Sequence, residues 1–178
     1  ENASLPLAQQ RLSHIVSRDT EGLSEEAVIR ATVETVSENT SDGIVAPLFY
    51  LALGGPALAM AYKAVNTLDS MVGYRTPQYR DFGCTSAKCD DGANYFPARI
   101  TGFLMTLSAA LFFKRGRQAF KIMLRDGRKH DSPNAGIPEA ATAGALGVQL
   151  GGPSVYKGIL KEKPWLGDAA YPLTIAYI

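Results

Sequence analysis

Hydrophobic and polar positions segregate along this chain in a pattern that favours helices. Over residues 24–39 (SEEAVIRATVETVSEN), Ala27, Ala31 and Thr35 recur at four-residue steps on one stripe. Arg30, Glu34 and Glu38 form a second stripe of the same helix. Ser24 is placed to cap its start, and Glu25 and Glu26 suit the positive end of its dipole. An Arg30–Glu34 ion pair is expected on its solvated face. Residues 43–62 (GIVAPLFYLALGGPALAMAY) then carry no charge over about twenty residues, the length a bilayer crossing needs. Pro47 and Gly54-Gly55-Pro56 divide that run, so two short helices in a bent or re-entrant hairpin compete with a continuous span. The second half continues helically as KAVNTLDSMVGY, with Lys63, Asn66 and Ser70 on one face and Asp69 beside them.

Residues 100–113 (ITGFLMTLSAALFF) are also uncharged, over about fourteen residues, short of a usual span. KRGRQAFKIMLRDGRKH follows, with seven basic residues and one acid, the flank expected on the cytoplasmic side of a membrane. RDG at 125–127 marks a helix end. Residues 132–152 are rich in small side chains that permit close helix approach. Pro138 and Glu139 suit the first turn of a helix there. No sustained alternation, no Asn-Gly or Asp-Gly hairpin between β-branched runs and no internal repeat occurs. The expected fold is all-α: an integral-membrane helical bundle, with polar helices and loops packed on or between the membrane helices.

Composition alters this picture little. Lys plus Arg is 18 and Asp plus Glu is 17 in 178 residues, so the net charge of +1 offers no basic surface for nucleic acid. The chain opens at Glu1 without a Met and stops in an apolar run, LTIAYI. The expectation is a single helical membrane domain over 1–178, truncated at both ends and without an N-terminal signal peptide. Cys84 and Cys89 fit neither C-x-x-C redox chemistry nor a two-plus-two zinc pattern. His14 and His130 are too far apart in sequence for a local metal cluster.

The candidate chemistry lies in short polar clusters beside the apolar runs. They are Arg18-Asp19-Thr20; Glu34, Glu38, Asn39 and Asp42; Lys63, Asn66, Asp69 and Ser70; Asp90, Asp91, Asn94 and Arg99; and Arg125, Asp126, His130, Ser132, Asn134 and Glu139. Carboxylates gathered at one place suit Mg²⁺, which keeps waters and substrate phosphates in its shell. Nearby Arg and Lys suit phosphate oxygens. Ordinary ion pairing that glues helices together is the competing explanation. No Walker P-loop, G-x-G-x-x-G or G-x-S-x-G motif is present.

Five of these segments occur together and in order: RDT, ETVSENTSDGIVAPLFY, YKAVNTLDSMVGY, DD-x-x-N-x-x-PAR and SPNAG-x-PEAAxAGALGVQLGG. In this the chain resembles the amide synthases of cobalamin biosynthesis, the adenosylcobinamide-phosphate synthase family, from about Arg11 to Gly167. The resemblance implies an integral protein of the inner membrane whose site faces the cytoplasm. It implies ATP-dependent joining of adenosylcobyric acid to (R)-1-amino-2-propanol or its phosphate, giving adenosylcobinamide or its phosphate. Membrane lipid and other membrane enzymes of the pathway are the further partners implied. Lys88 and Cys89 depart from the family's pattern. A related family of ampicillinase-signalling membrane proteins offers the alternative, a non-catalytic sensor, signalling or scaffold protein.

Set beside that chemistry, Glu34, Glu38, Asp42, Asp90 and Asp91 are the candidate Mg²⁺ ligands. Glu38, Asp91 and His130 are the candidate catalytic groups. Lys63, Arg99 and Arg125 are candidates for phosphate oxygens. Arg18, Asn39, Asn66, Asp69, Asn94, Ser132, Asn134 and Glu139 complete the expected substrate and ATP site. If residues 43–62 and 100–113 both crossed the bilayer, Asp69, Asp90 and Asp91 would lie opposite Glu38 and His130. A single site therefore requires at least one run to be buried or re-entrant, or polar helices that fold back within the bundle.

Overall fold

The protein is described by a computed structural model covering residues 4–72 and 80–177. Helix α1 (Leu5–Ser13) packs Leu12 against Val28 and Ala31 of α2 (Glu25–Asn39). Helix α2 starts as its sequence requires, with the Ala27 N–H donating to the Ser24 hydroxyl at 3.2 Å. The expected Arg30–Glu34 pair does not form. Arg30 reaches back one turn to Glu26 at 2.5 Å and stacks over the Trp165 ring at 5.0 Å. Glu34 is left on the buried side, where other partners take it.

A π-helical segment, Thr40–Val45, joins α2 to α3 (Ala46–Val72). Pro47 does not interrupt α3; it sits just after the π segment, where the backbone pairing has already shifted. The break comes at Gly54 (φ −148°, ψ 23°) and Gly55 (φ 68°, ψ −165°), conformations outside the helical region that Gly55 in particular adopts for want of a Cβ. Twenty helical residues span about 30 Å, yet the Tyr62 hydroxyl lies 3.1 Å from the Asp42 carbonyl and its ring stacks on Tyr50 at 5.0 Å. Residues 46–53 and 56–72 thus form a helical hairpin, the re-entrant alternative to a continuous span.

Helix α4 (Arg80–Phe113) runs on through Pro97 and receives the hairpin. Tyr50 donates to the Ala93 carbonyl and Tyr62 to Asn94 Oδ1, each at 2.8 Å. Helix α5 (Gly116–Asp126) ends at RDG, and α6 (Gly136–Leu146) holds Pro138 and Glu139 in its first turn. Small residues bring these two together: a Cβ added at Gly144 would sit 2.7 Å from the Ala119 Cα. By length and composition, two helical stretches, Glu25–Val72 and Gly83–Phe113, are apolar enough to cross a membrane. The hairpin bend divides the first. Leu53, Met60, Leu111 and Phe112 are 64–77% exposed, so large apolar side chains face outward along both stretches.

The chain departs from an all-α fold after α6. Two small antiparallel sheets form, β1 (Leu150–Gly151) with β4 (Trp165–Leu166), and β2 (Ser154–Tyr156) with β3 (Ile159–Lys161). The β2–β3 hairpin closes through Lys157 (φ 52°) and Gly158 (φ 77°), both left-handed, as a two-residue type I′ turn needs. Asp19 accepts both turn amides, from Lys157 at 3.1 Å and Gly158 at 2.7 Å. Leu150 and Val148 complete a core with Ile29, Val33, Ile122, Ala140 and Ala143.

The hairpin makes a topological prediction for the full-length protein in sealed vesicles. With the exposed thiols Cys84 and Cys89 replaced by Ser, Gly43→Cys and Ala64→Cys should both react with an impermeant maleimide from the same side. Labelling from opposite sides would mean that residues 43–62 cross the bilayer.

Candidate functional site

A cleft of about 670 Å³ opens where α2, the π segment, α3, the start of α6 and the β2–β4 arm meet. Its walls carry Arg18, Glu34, Glu38, Asn39, Asp42, Asn66, Asp69, His130 and Glu139, nine of the residues singled out from sequence. Residues on both sides of the apolar 43–62 run therefore reach one cavity. The hairpin makes this possible by returning Asn66 and Asp69 to the level of Asp42. The π segment helps, since its wider turn re-aims side chains, a device common at functional sites.

The groups differ in how far they are committed. Arg18 donates to Glu34 Oε2 at 2.5 Å and to the Ser154 hydroxyl at 3.3 Å. The other Glu34 oxygen accepts the Gly151 N–H at 2.6 Å. Glu34, expected among metal ligands, thus fastens the β arm to α2 with both its oxygens. Glu38, Asp42 and Asp69 line the cleft without such commitments. Among the described residues, no three His, Cys, Asp or Glu groups converge closely enough to hold an ion unaided. This donor set fits an oxygen-seeking ion that takes one or two carboxylates and completes its shell with water and substrate phosphates, as Mg²⁺ does.

Glu139 is 6% exposed. Burial first, then the carboxylates of Glu34 and Glu38, push it well above the ordinary carboxylate range. Its folded state keeps a proton that the unfolded chain gives up above its reference value of 4.5. The sign follows: stability of the ligand-free protein should fall as pH rises from about that value, because ionisation is easier once unfolded. Melting temperature measured against pH should show this decline, and Glu139→Gln should flatten it. An unchanged profile in that variant would remove Glu139 as its source.

His130 is held below its ordinary value, chiefly by burial and next by the Lys163 charge. Its Nδ1 accepts the Ser132 N–H at 3.0 Å. In the neutral ring the proton then sits on Nε2, which becomes a donor.

The remaining expected site residues form two networks outside the cleft lining. In the first, Lys63 donates to Asn66 Oδ1 at 3.0 Å, Asn66 donates to Asp90 Oδ1 at 3.2 Å, and Asn94 donates to Asp90 Oδ2 at 3.0 Å. Asp90 thus orients Asn66 from behind the wall. Asn134 bridges the Asp91 carbonyl (2.8 Å) and Arg99 (3.0 Å), while Arg99 lies 3.5 Å over the Tyr95 ring. The Ser132 hydroxyl caps the Asn134 and Ala135 amides, each at 3.3 Å. In the second network, Arg125 is bidentate on Asp126 at 2.8 and 2.6 Å and also meets Asp168 at 2.9 Å. Burial would raise Asp126, but Arg125, Lys129 and the Gly167 N–H outweigh it and hold its carboxyl well below the usual range. Arg125, expected at phosphate oxygens, here clasps α5 to Asp168 just after β4.

Sequence reasoning missed Tyr156 and Lys163, which also line the cleft. The signal available was Lys-Gly at 157–158 between short β-branched and apolar runs, a hairpin turn outside the Asn-Gly and Asp-Gly pairs.

The structure thus defines a mainly helical protein, with two stretches apolar enough to cross a membrane beside an acid-lined polar cleft. The family profile described as "CobD/Cbib protein" matches residues 1–178, and the chain belongs to that family. It is 63% identical to the "Cobalamin biosynthesis protein CobD" of Geobacter metallireducens over 95% of this chain and 53% of that protein. It is 54% identical to the protein of the same name from Clostridium perfringens, over 95% of this chain and 54% of that one. The "Cobalamin biosynthesis protein CbiB" of Salmonella arizonae is 55% identical, again over 95% and 54%. The chain spans about half the length of these relatives. No solved structure matches it.

Proposed function

We propose that this chain carries the metal- and phosphate-facing part of an ATP-dependent amide synthase of cobalamin biosynthesis. The whole protein would sit in the inner membrane with its cleft open to the cytoplasm. It would join adenosylcobyric acid to (R)-1-amino-2-propanol or its phosphate. The observation that carries this reading is one cleft that gathers Glu38, Asp42, Asp69 and Lys163, none in an ion pair among the described residues, from segments far apart in sequence. Family membership supports it.

The chemistry demands such a place. A carboxylate resists attack by an amine, so ATP first converts it to an acyl phosphate, releasing ADP, or to an acyl adenylate, releasing pyrophosphate. The amine then attacks the acyl carbon, and phosphate or AMP leaves. Asp42 and Asp69 would hold Mg²⁺, which when bound offsets charge on the phosphates. Glu38 takes the proton that the attacking ammonium must lose. Asn66, braced by Asp90 and Lys63, orients the substrate, and Asn39 offers a second amide. His130 Nε2–H serves as a donor, because Ser132 fixes the opposite nitrogen as the acceptor.

The test incubates full-length protein with adenosylcobyric acid, Mg–ATP and each amine, then identifies the corrinoid and the spent nucleotide. An amide product with ADP or AMP is expected. Unchanged corrinoid and intact ATP would overturn the proposal. Mg–ATP should also raise the melting temperature, which a purely structural scaffold would not show.

A further inference from the structure

Of the donors that line the cleft without an acceptor among the described residues, two are nitrogens from the segments beyond α5. One is His130 Nε2–H. The other is the Lys163 ammonium, which lines the same cavity. Neighbouring cations are neutralised: Arg18 by Glu34, Lys161 by Asp131 at 2.6 Å, and Lys129 by Asp126 at 2.7 Å. Lys163 forms no ion pair among the described residues: the Tyr156 ring lies 5.3 Å from its ammonium, and Glu38 and Glu139 of the same cleft feel its charge without contacting it.

Its position is nonetheless well determined. Lys161 is tied down just before it, Pro164 restricts the backbone just after it, and Trp165 pairs with Gly151 in β1. The Gly151 N–H is in turn held by Glu34. A long flexible cation is thus carried on a braced arm into the cleft, where ordering it has an entropic cost and no hydrogen-bonded partner is provided among the described residues. The acids of α2 and the π segment line the same cleft.

Resting on the amide-synthase reading, we propose that Lys163 and His130 Nε2–H form the phosphate-binding subsite of this cleft. It takes the phosphate oxygens of the nucleoside triphosphate, while the acids of the same cleft face the accompanying cation. Lys supplies a charge-assisted donor and His a neutral one, a pairing suited to a phosphate chain.

The test measures binding of Mg–adenylyl imidodiphosphate, a non-hydrolysable ATP analogue, to the full-length protein by calorimetry. Adenosylcobyric acid is measured in parallel. Lys163→Met should weaken the analogue by about 10- to 100-fold and leave the corrinoid unchanged. Lys163→Arg should restore most of the loss, and Lys163→Gln should repeat it if the Met variant proves unstable. His130→Leu should weaken the analogue less than Lys163→Met, because its donor is uncharged. If wild-type protein fails to bind the analogue, the amide-synthase reading falls and this inference with it. If wild type binds and Lys163→Met and Lys163→Gln bind equally well, only this inference falls. Loss confined to the corrinoid would assign Lys163 to the substrate carboxylate and overturn the phosphate subsite.

Discussion

Under the proposed amide-synthase function, Glu38→Gln in the full-length protein should lower amide formation by about 10²- to 10⁴-fold, the range for loss of a positioned proton acceptor, while nucleotide binding persists. Glu38 lines the cleft one helical turn beyond Glu34 and just before the π segment that carries Asp42. The attacking amine arrives as an ammonium and must shed a proton before its lone pair is available. Glutamine keeps the shape and the hydrogen-bonding reach of the side chain but cannot take that proton. The expected signature is a fall in kcat, with the KM for Mg–ATP close to wild type and the melting temperature unchanged. Asp42→Asn should behave differently, raising the KM for Mg–ATP. A Glu38→Gln enzyme with near-normal turnover would remove Glu38 from the chemistry.

Glu34→Ala should destabilise the fold by about 3–5 kcal/mol, the usual consequence of breaking a buried ion pair from one side. Arg18 and Glu34 side chains are 13% and 6% exposed, so water cannot replace the missing partner well. The same substitution strands the Gly151 N–H, which Glu34 accepts at 2.6 Å. The β arm should loosen first, so early exchange of the Gly151 amide and proteolysis after residue 150 would precede global unfolding. Arg18→Met combined with Glu34→Leu should cost less than Glu34→Ala, because no uncompensated charge is left behind. Equal loss in the single and double variants would show that the pair is not what holds the arm.

These predictions depend on groups of quite different legibility. The capped start of α2, the helix end at RDG and the helix opening at Gly136 follow from near-neighbour chemistry, and all were readable. So was the alternative of a bend at Gly54-Gly55-Pro56, because glycine and proline act on the backbone at their own positions. The short strands after residue 150 were not. They are too brief for an alternation signal, and their turn uses Lys-Gly, in which the glycine alone hints at a hairpin. Glu34 was misplaced for a related reason. Two acids lie four residues from Arg30, and the chosen partner, Glu26, depends on Arg18 and Gly151 claiming Glu34 from distant parts of the chain.

The sequence by itself determined that this protein is mainly helical, that residues 43–62 form an apolar run of bilayer-crossing length, which family it resembles and which polar clusters lie beside its apolar runs. Those properties reside in local periodicity, capping and the order of short motifs. Only the tertiary structure decided which of those polar residues share a cavity. It placed Glu38, Asp42, Asp69, His130 and Glu139 around one cleft, set Arg125 apart in a clasp with Asp126, and brought in Lys163 from an arm with no distinctive motif. The reason is physical: convergence depends on a backbone reversal at Gly54–Gly55 and on contacts between segments more than a hundred residues apart, such as Glu34 with Gly151. A pattern read along the chain cannot encode those distances.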